Sequence, residues 1–304
     1  MDGHKEGVPG VREVLLAWGT FAAVALAVVV TYARLPTAEL YNVDEEGLAG
    51  GFGRALVFLN YPTALAAIAV LLVVADRFGR PATSAVAAVA GVLCAGVAWP
   101  GVVDQADLDA RVVNAIPAAG VAVAVALTAL AVGRDGLGRR VAWSGWDAVR
   151  LALAALLVVA ALPWIAADLG FSLGGPFLSD EPRPEPGQPQ LRAVHLGHHH
   201  GLDGTLLALT ALALSRVVPQ ASRRVRPLLA FYLALMLVYG LANVLQDFWL
   251  EQLVKRGTTS FDLPEMTRPA LTPAWAAMVA TAVLIHLAAP RVARFQRLRK
   301  GGTR

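Results

Sequence analysis

The chain has 304 residues, 57% of them hydrophobic and only 16% charged, with a mean hydropathy of +0.58 and a formal net charge of +4. A soluble chain carries about a quarter charged residues, whereas here the apolar excess falls in runs matching the about 20 helical residues that cross a bilayer core. A soluble globular protein is thereby excluded, and so is a membrane β-barrel, because the runs are continuous and far exceed the about 10 residues of a barrel strand. The expected fold is an all-α integral membrane protein, a single polytopic domain over 1–304. One cysteine, Cys94, lies inside an apolar run, which excludes intrachain disulfides and multi-cysteine zinc sites. A composition heavy in Ala, Val, Leu, Gly and Arg points to a GC-rich bacterial genome.

Eight spans are expected: Glu13–Tyr32, Ala55–Val74, Ala82–Val102, Val113–Val132, Ala148–Ala167, His198–Val217, Pro227–Trp249 and Thr272–Ala289. Lys5 and Arg12 precede the first run, but the run is too long for a signal-peptide core and has no convincing cleavage site, so it is read as a retained span. Orientation follows from the basic residues. The N-terminus, the even-numbered connections and the tail hold 18 of the 26 Lys and Arg but 6 of the 22 Asp and Glu. That leaves about +12 on one side and −8 on the other, which puts both termini in the cytoplasm of a multi-pass inner-membrane protein. Trp99, Trp164, Trp249 and Trp275 fall near outer ends and Trp18, Trp143 and Trp146 near inner ones, as an aromatic belt requires. The basic tail (290–304) is accounted for by this rule and by anionic lipid; nucleic acid is not an expected partner.

The expected outer loops, about 33–54, 103–112, 168–197 and 250–271, hold most of the acidic residues. Loop one carries Glu39, Tyr41, Asn42, Asp44, Glu45 and Glu46, then Arg54 and Asn60-Tyr61-Pro62. Acidic residues soon after a first span resemble the GT-C glycosyltransferases, which place an Asp or Glu in the first outer loop as the base activating an acceptor. On that resemblance Asp44 or Glu45 would be the catalytic base. Loop three carries Asp104, Asp107, Asp109 and Arg111, then Asn114. Three carboxylates in six residues suit a divalent cation bridging to a phosphate, and so a substrate head group. The alternative is a hydrated loop with Asp109 capping the fourth helix. Ser179–Gln190 is Pro-rich and reads as an extended linker or a lid.

It leads into His195, His198, His199, His200 and Asp203, where the sixth span begins. From Thr205 to Val218 only 14 residues remain, too few for the ~30 Å core, so the helix must include His198–Gly204 or the bilayer must thin. Ionisable groups at that depth are functional candidates by default. His195, His199 and Asp203 fall at i, i+4, i+8 on one helical face, while Gly197, Gly201 and Gly204 argue for a loose start. Imidazole with carboxylate suits Zn, Mn, Fe or Ni, and carboxylates alone Mg. The antiparallel seventh span ends at the same face with Asn243, Asp247 and Glu251, again at i, i+4, i+8. Bundle metal sites are built from facing stripes of this kind. Plain interfacial polarity is the alternative. His286 lies near the other end of the eighth span with no apposed second histidine, which argues against a transmembrane haem. Loop seven (Lys255, Arg256, Asp262, Glu265, Arg268) is mixed and uninformative.

These features point to a membrane-embedded hydrolase or transferase with an extracytoplasmic metal site acting on a lipid-linked or amphipathic substrate. His195, His198, His199, His200 and Asp203 would be ligands, Asp247 or Glu251 would complete the shell or act as general base, and Asn243 with the loop-three residues would form a substrate cradle. A secondary transporter or metal-ion permease using the same cluster, and a non-catalytic subunit of a homo-oligomer or larger complex, are the other classes. No phosphate loop, His-Glu-x-x-His pair or nucleophile elbow is present.

Overall fold

The computed structural model describes residues 10–34, 45–99, 102, 109–169 and 200–301, with side chains described through Ala288. The described residues are helical, without a strand. The helices are α1 (Val11–Arg34), α2 (Gly47–Phe78), α3 (Pro81–Ala98), α4 (Val112–Asp135), α5 (Gly145–Ala160), α6 (Leu162–Asp168), α7 (His200–Leu214), α8 (Val225–Val254) and α9 (Pro273–Gly301). Five of them, α1, α2, α3, α4 and α8, are long and apolar enough to cross a membrane, and six spans result if α5 and α6 count as one. The apolar helices His200–Leu214 and Pro273–Ala288 are shorter. Five to six candidate spans thus stand where eight were expected.

Each departure from the expected boundaries has a local cause. α5 and α6 meet at 55°, because Pro163 has no N–H to give and its ring clashes with the preceding turn. α2 begins eight residues before the expected Ala55, running through Gly47, Gly50, Gly51 and Gly53. Those glycines do not break the helix, because they let α1 lie close against it. A Cβ on Gly51 would sit 2.5 Å from the Val29 carbonyl oxygen. Farther along α2, Leu59–Thr63 forms a single π turn containing Pro62, the usual way a helix absorbs a proline without stopping.

α2 is the enclosed element, with 78% of its apolar window buried against 22% for α3 at the periphery. The main core gathers Ala64, Ala67, Val70 and Val74 of α2 with Cys94, Ala124, Leu207, Leu214 and Leu229. α7 is equally central, with twelve of its fifteen residues buried, and it pairs most extensively with α8. The pairing is antiparallel: Gly201 meets Asp247 while Ala208 meets Gly240. At the crossing a Cβ on Gly204 would come 2.4 Å from the Gly240 carbonyl oxygen, and one on Gly240 2.5 Å from that of Gly204. Only two glycines permit this approach.

Candidate functional site

The amino-terminal end of α7 is built around Gly201. Its N–H donates to Asp247 Oδ2 at 2.7 Å, and its carbonyl accepts the Thr205 hydroxyl at 2.8 Å. A Cβ on it would fall 2.4 Å from the Trp164 ring, so the indole lies flush on the backbone. The bend between α5 and α6 delivers that indole, and its Nε1 donates to Glu251 Oε2 at 2.7 Å. Three helices are therefore tied at one residue, and two carboxylates are held there by an amide and an indole. An amide at a helix start is a natural carboxylate donor, because the first N–H groups of a helix have no partner within it.

A second half of the cluster comes from α1, α2, α6 and α7. The Arg54 guanidinium donates to the Tyr32 hydroxyl, lies 6.0 Å from that ring's centroid, and sits in the field of Asp203 and Asp168. All of these side chains are buried, as are Asp247 and Glu251. The four carboxylates Asp168, Asp203, Asp247 and Glu251 are only 3–6% exposed. The strap 255–272 closes the cluster from above. Tyr61 and Tyr239 both donate their hydroxyls to the Thr267 carbonyl, and the Met266 N–H donates to Gln246. Glu265, on this strap, stands close enough to His200 to feel its charge. Partial burial works to raise the Glu265 carboxyl. Hydrogen bonds from Thr267 and the Arg268 N–H, together with His200, outweigh that and hold it below its ordinary range.

Of the residues singled out from sequence, Asp203, Asp247 and Glu251 share this end of the bundle with His200, which is half-buried at the α7 start. His195, His198, His199, Asp44, Asp104 and Asp107 lie outside the described residues. Among the described residues no three His, Cys, Asp or Glu come together in a metal-ligand group. Asn243 is on the expected stripe and fully buried, but its amide donates to the Tyr239 carbonyl one turn back. Asn60 does the same to Leu56 in the π turn. The carbonyl oxygens of both asparagines have no hydrogen-bond partner among the described residues. Glu45 is exposed at the start of α2. The N-cap of α4 is Arg111, not Asp109; Asn114, three residues on, accepts the Arg111 N–H at 2.6 Å and donates to the Val102 carbonyl at 3.1 Å. His286 packs edge-on to Phe231.

Four residues of the cluster had no assigned role. Arg54 fell one residue outside its expected span, so the signal of an intramembrane charge was lost to a boundary. Asp168 and Trp164 read as the water edge and aromatic belt of a single span, and only the bend turns them inward. Glu265 sits in a loop of mixed charge, and nothing in its local sequence marks it. No protein-family model, curated protein or solved structure matches the chain, and the site alone carries the functional reading.

Proposed function

We propose that the chain is a membrane-embedded, metal-dependent enzyme, working by hydrolysis or group transfer on a lipid-linked or amphipathic substrate, with its centre at the amino-terminal end of α7. One observation carries the reading. At this end of α7, buried Asp203 and Asp168 lie in the field of buried Arg54, and buried Asp247 and Glu251 are held by the Gly201 N–H and the Trp164 indole. Buried carboxylates are costly unless cations, hydrogen bonds or protons offset them. The adjoining His195, His198, His199 and His200 are the ligand type a divalent cation would take beside Asp203. In this reading the metal supplies Lewis acidity, and Asp247 or Glu251 takes the proton of an attacking water. Gly201 and Trp164 fix the orientation of those two carboxylates. An eight-span topology with both termini cytoplasmic would put the centre at the extracytoplasmic face, within reach of lipid head groups.

The test is elemental analysis of untagged, detergent-purified protein, wild type beside His199→Ala/Asp203→Asn. Near-stoichiometric Zn, Mn, Fe or Ni that disappears in the double variant is the expected result. Wild-type protein from metal-replete cells that is metal-free and binds none of these on titration would sink the proposal. A second reading, a secondary transporter, draws on Asn60 and Asn243, whose fully buried carbonyl oxygens have no partner among the described residues. Such oxygens at depth are what a transported cation would use. Uptake into sealed vesicles, abolished by Asn60→Leu and retained in Asp203→Asn, would favour it over the enzyme.

A further inference from the structure

At the opposite end of α7 a cleft of about 320 Å³ opens between α1, α5 and α7. Its walls are apolar, including Leu16, Leu151, Ala154 and Leu209, and its end is ionic, formed by Asp147, Arg150 and Arg216 with Trp143 at the rim. The ionic end is asymmetric. The carboxylates are hidden, Asp147 at 4% and Glu13 at 6% side-chain exposure, while both guanidiniums remain 26% exposed. Arg216 uses three of its N–H groups on Asp147, Glu13 and the Val141 carbonyl, and Arg150 uses two on Ser215 and Asp147. A guanidinium has five, and neither arginine has a buried nitrogen without a partner. Arg150 Nη2, which has no partner among the described residues, is therefore solvent-accessible. Although the ion pairs balance in number, the surface they turn outward is cationic.

We propose that this cleft is a binding site for an anionic phospholipid of the adjoining leaflet. The phosphate sits against Arg150 and Arg216, and an acyl chain runs between α1 and α5. Three features argue for a lipid over a soluble anion. The walls are apolar, the cleft is too small to enclose a whole amphiphile and so lets its tails continue into the bilayer, and the site lies where basic connections cluster. Arg216, in the connection that follows α7, reaches the Val141 carbonyl in the connection before α5. Basic pockets between spans bind such head groups. The site is separate from the carboxylate cluster, about 15 helical residues away along α7, and does not depend on its function.

The experiment is native mass spectrometry of delipidated wild-type protein titrated separately with phosphatidylglycerol and phosphatidylcholine. One phosphatidylglycerol retained about fivefold more strongly than phosphatidylcholine is expected, the scale of one arginine–phosphate contact at a membrane surface. Arg150→Gln should erase that preference and Arg150→Lys restore most of it. Ala154→Trp, which fills the apolar wall without touching the ionic end, should abolish retention of either lipid. Equal retention of the two lipids by wild type, or undiminished phosphatidylglycerol binding in Ala154→Trp, would overturn the proposal.

Discussion

The two ends of α7 hold buried charge in opposite ways. At the end of Leu214, Arg216 and Arg150 meet Glu13 and Asp147 in bridges of 2.9–3.0 Å, two cations for two carboxylates. At the end of His200, buried Asp203 and Asp168 lie in the field of buried Arg54, while buried Asp247 and Glu251 accept from an amide and an indole. The first arrangement is a matched lock joining α1, α5 and the connection after α7. The second holds two of its buried carboxylates on neutral donors, where the first uses cations. The difference is in how each end holds its acids.

The sharpest way to break this comparison is to remove Arg54, the buried cation beside Asp203 and Asp168. Arg54→Met leaves Asp203 and Asp168 buried beside an apolar side chain, and removing one partner of a buried ionic group costs about 3–5 kcal/mol. The thermal midpoint in detergent should fall more than for any other single substitution considered. An unchanged midpoint would mean that the carboxylates are already offset by something else. Arg216→Met at the matched end should cost less, about 2–3 kcal/mol, because Arg216 is a quarter exposed and water can reach the acids it leaves. Metal content, where wild type has any, should survive Arg216→Met.

Substituting the carboxylates sharpens the contrast. Asp247→Asn keeps an oxygen for the Gly201 N–H while removing one buried charge. Its stability should move by under about 1 kcal/mol or rise, with catalytic turnover lost. Asp147→Asn removes an acid that two arginines share and should destabilise by about 1–3 kcal/mol. Urea or thermal unfolding of the pair of variants measures both. If the two asparagine variants lose stability equally, the ends are the same kind of device and the distinction fails.

Between the two ends, the α7–α8 crossing gives a smaller effect of known sign. Gly240→Ala pushes a methyl group to 2.5 Å from the Gly204 carbonyl oxygen and should cost about 1–3 kcal/mol by overpacking. Gly91→Ala on α3, with nothing within 4 Å of the new Cβ, should be neutral or gain up to about 1 kcal/mol in helix propensity. Comparing the two thermal midpoints separates close approach from backbone freedom.

How much of this was legible in the sequence depends on whether the signal was local. Helicity and apolar length read directly, because they need only a window of one chain. The Asp203, Asp247 and Glu251 placements also read, because i, i+4 spacing on two antiparallel helices fixes both face and depth. Arg54 was hidden by glycines that lower helix propensity, while their packing against α1 restores the helix at a cost that no propensity scale contains. Trp164 was hidden by a bend, since Pro163 announces a kink but not its direction. Asp109 is a natural cap by residue type, but the cap position falls two residues later at Arg111. There Asn114 closes a capping box and also donates to the Val102 carbonyl, a partner twelve residues back in the chain.

The smallest expected effect concerns the strap over the acidic end. The Glu265 carboxyl is held below its ordinary value near 4.5, so its ionised form is favoured when the strap is docked. The contribution is therefore fully present above pH 4.5 and is lost as pH falls through the lower, docked value. Hydrogen–deuterium exchange in the peptide covering 255–272 should quicken over that acidic range, by about twofold because the pairing is largely exposed. In Glu265→Gln the exchange should be slightly faster at neutral pH and lose this acidic step. A step that persists in Glu265→Gln would belong to Asp262 or to the carboxylates beneath the strap, Asp247 and Glu251. In that case those acids, not the surface contact with His200, would be what holds the strap down.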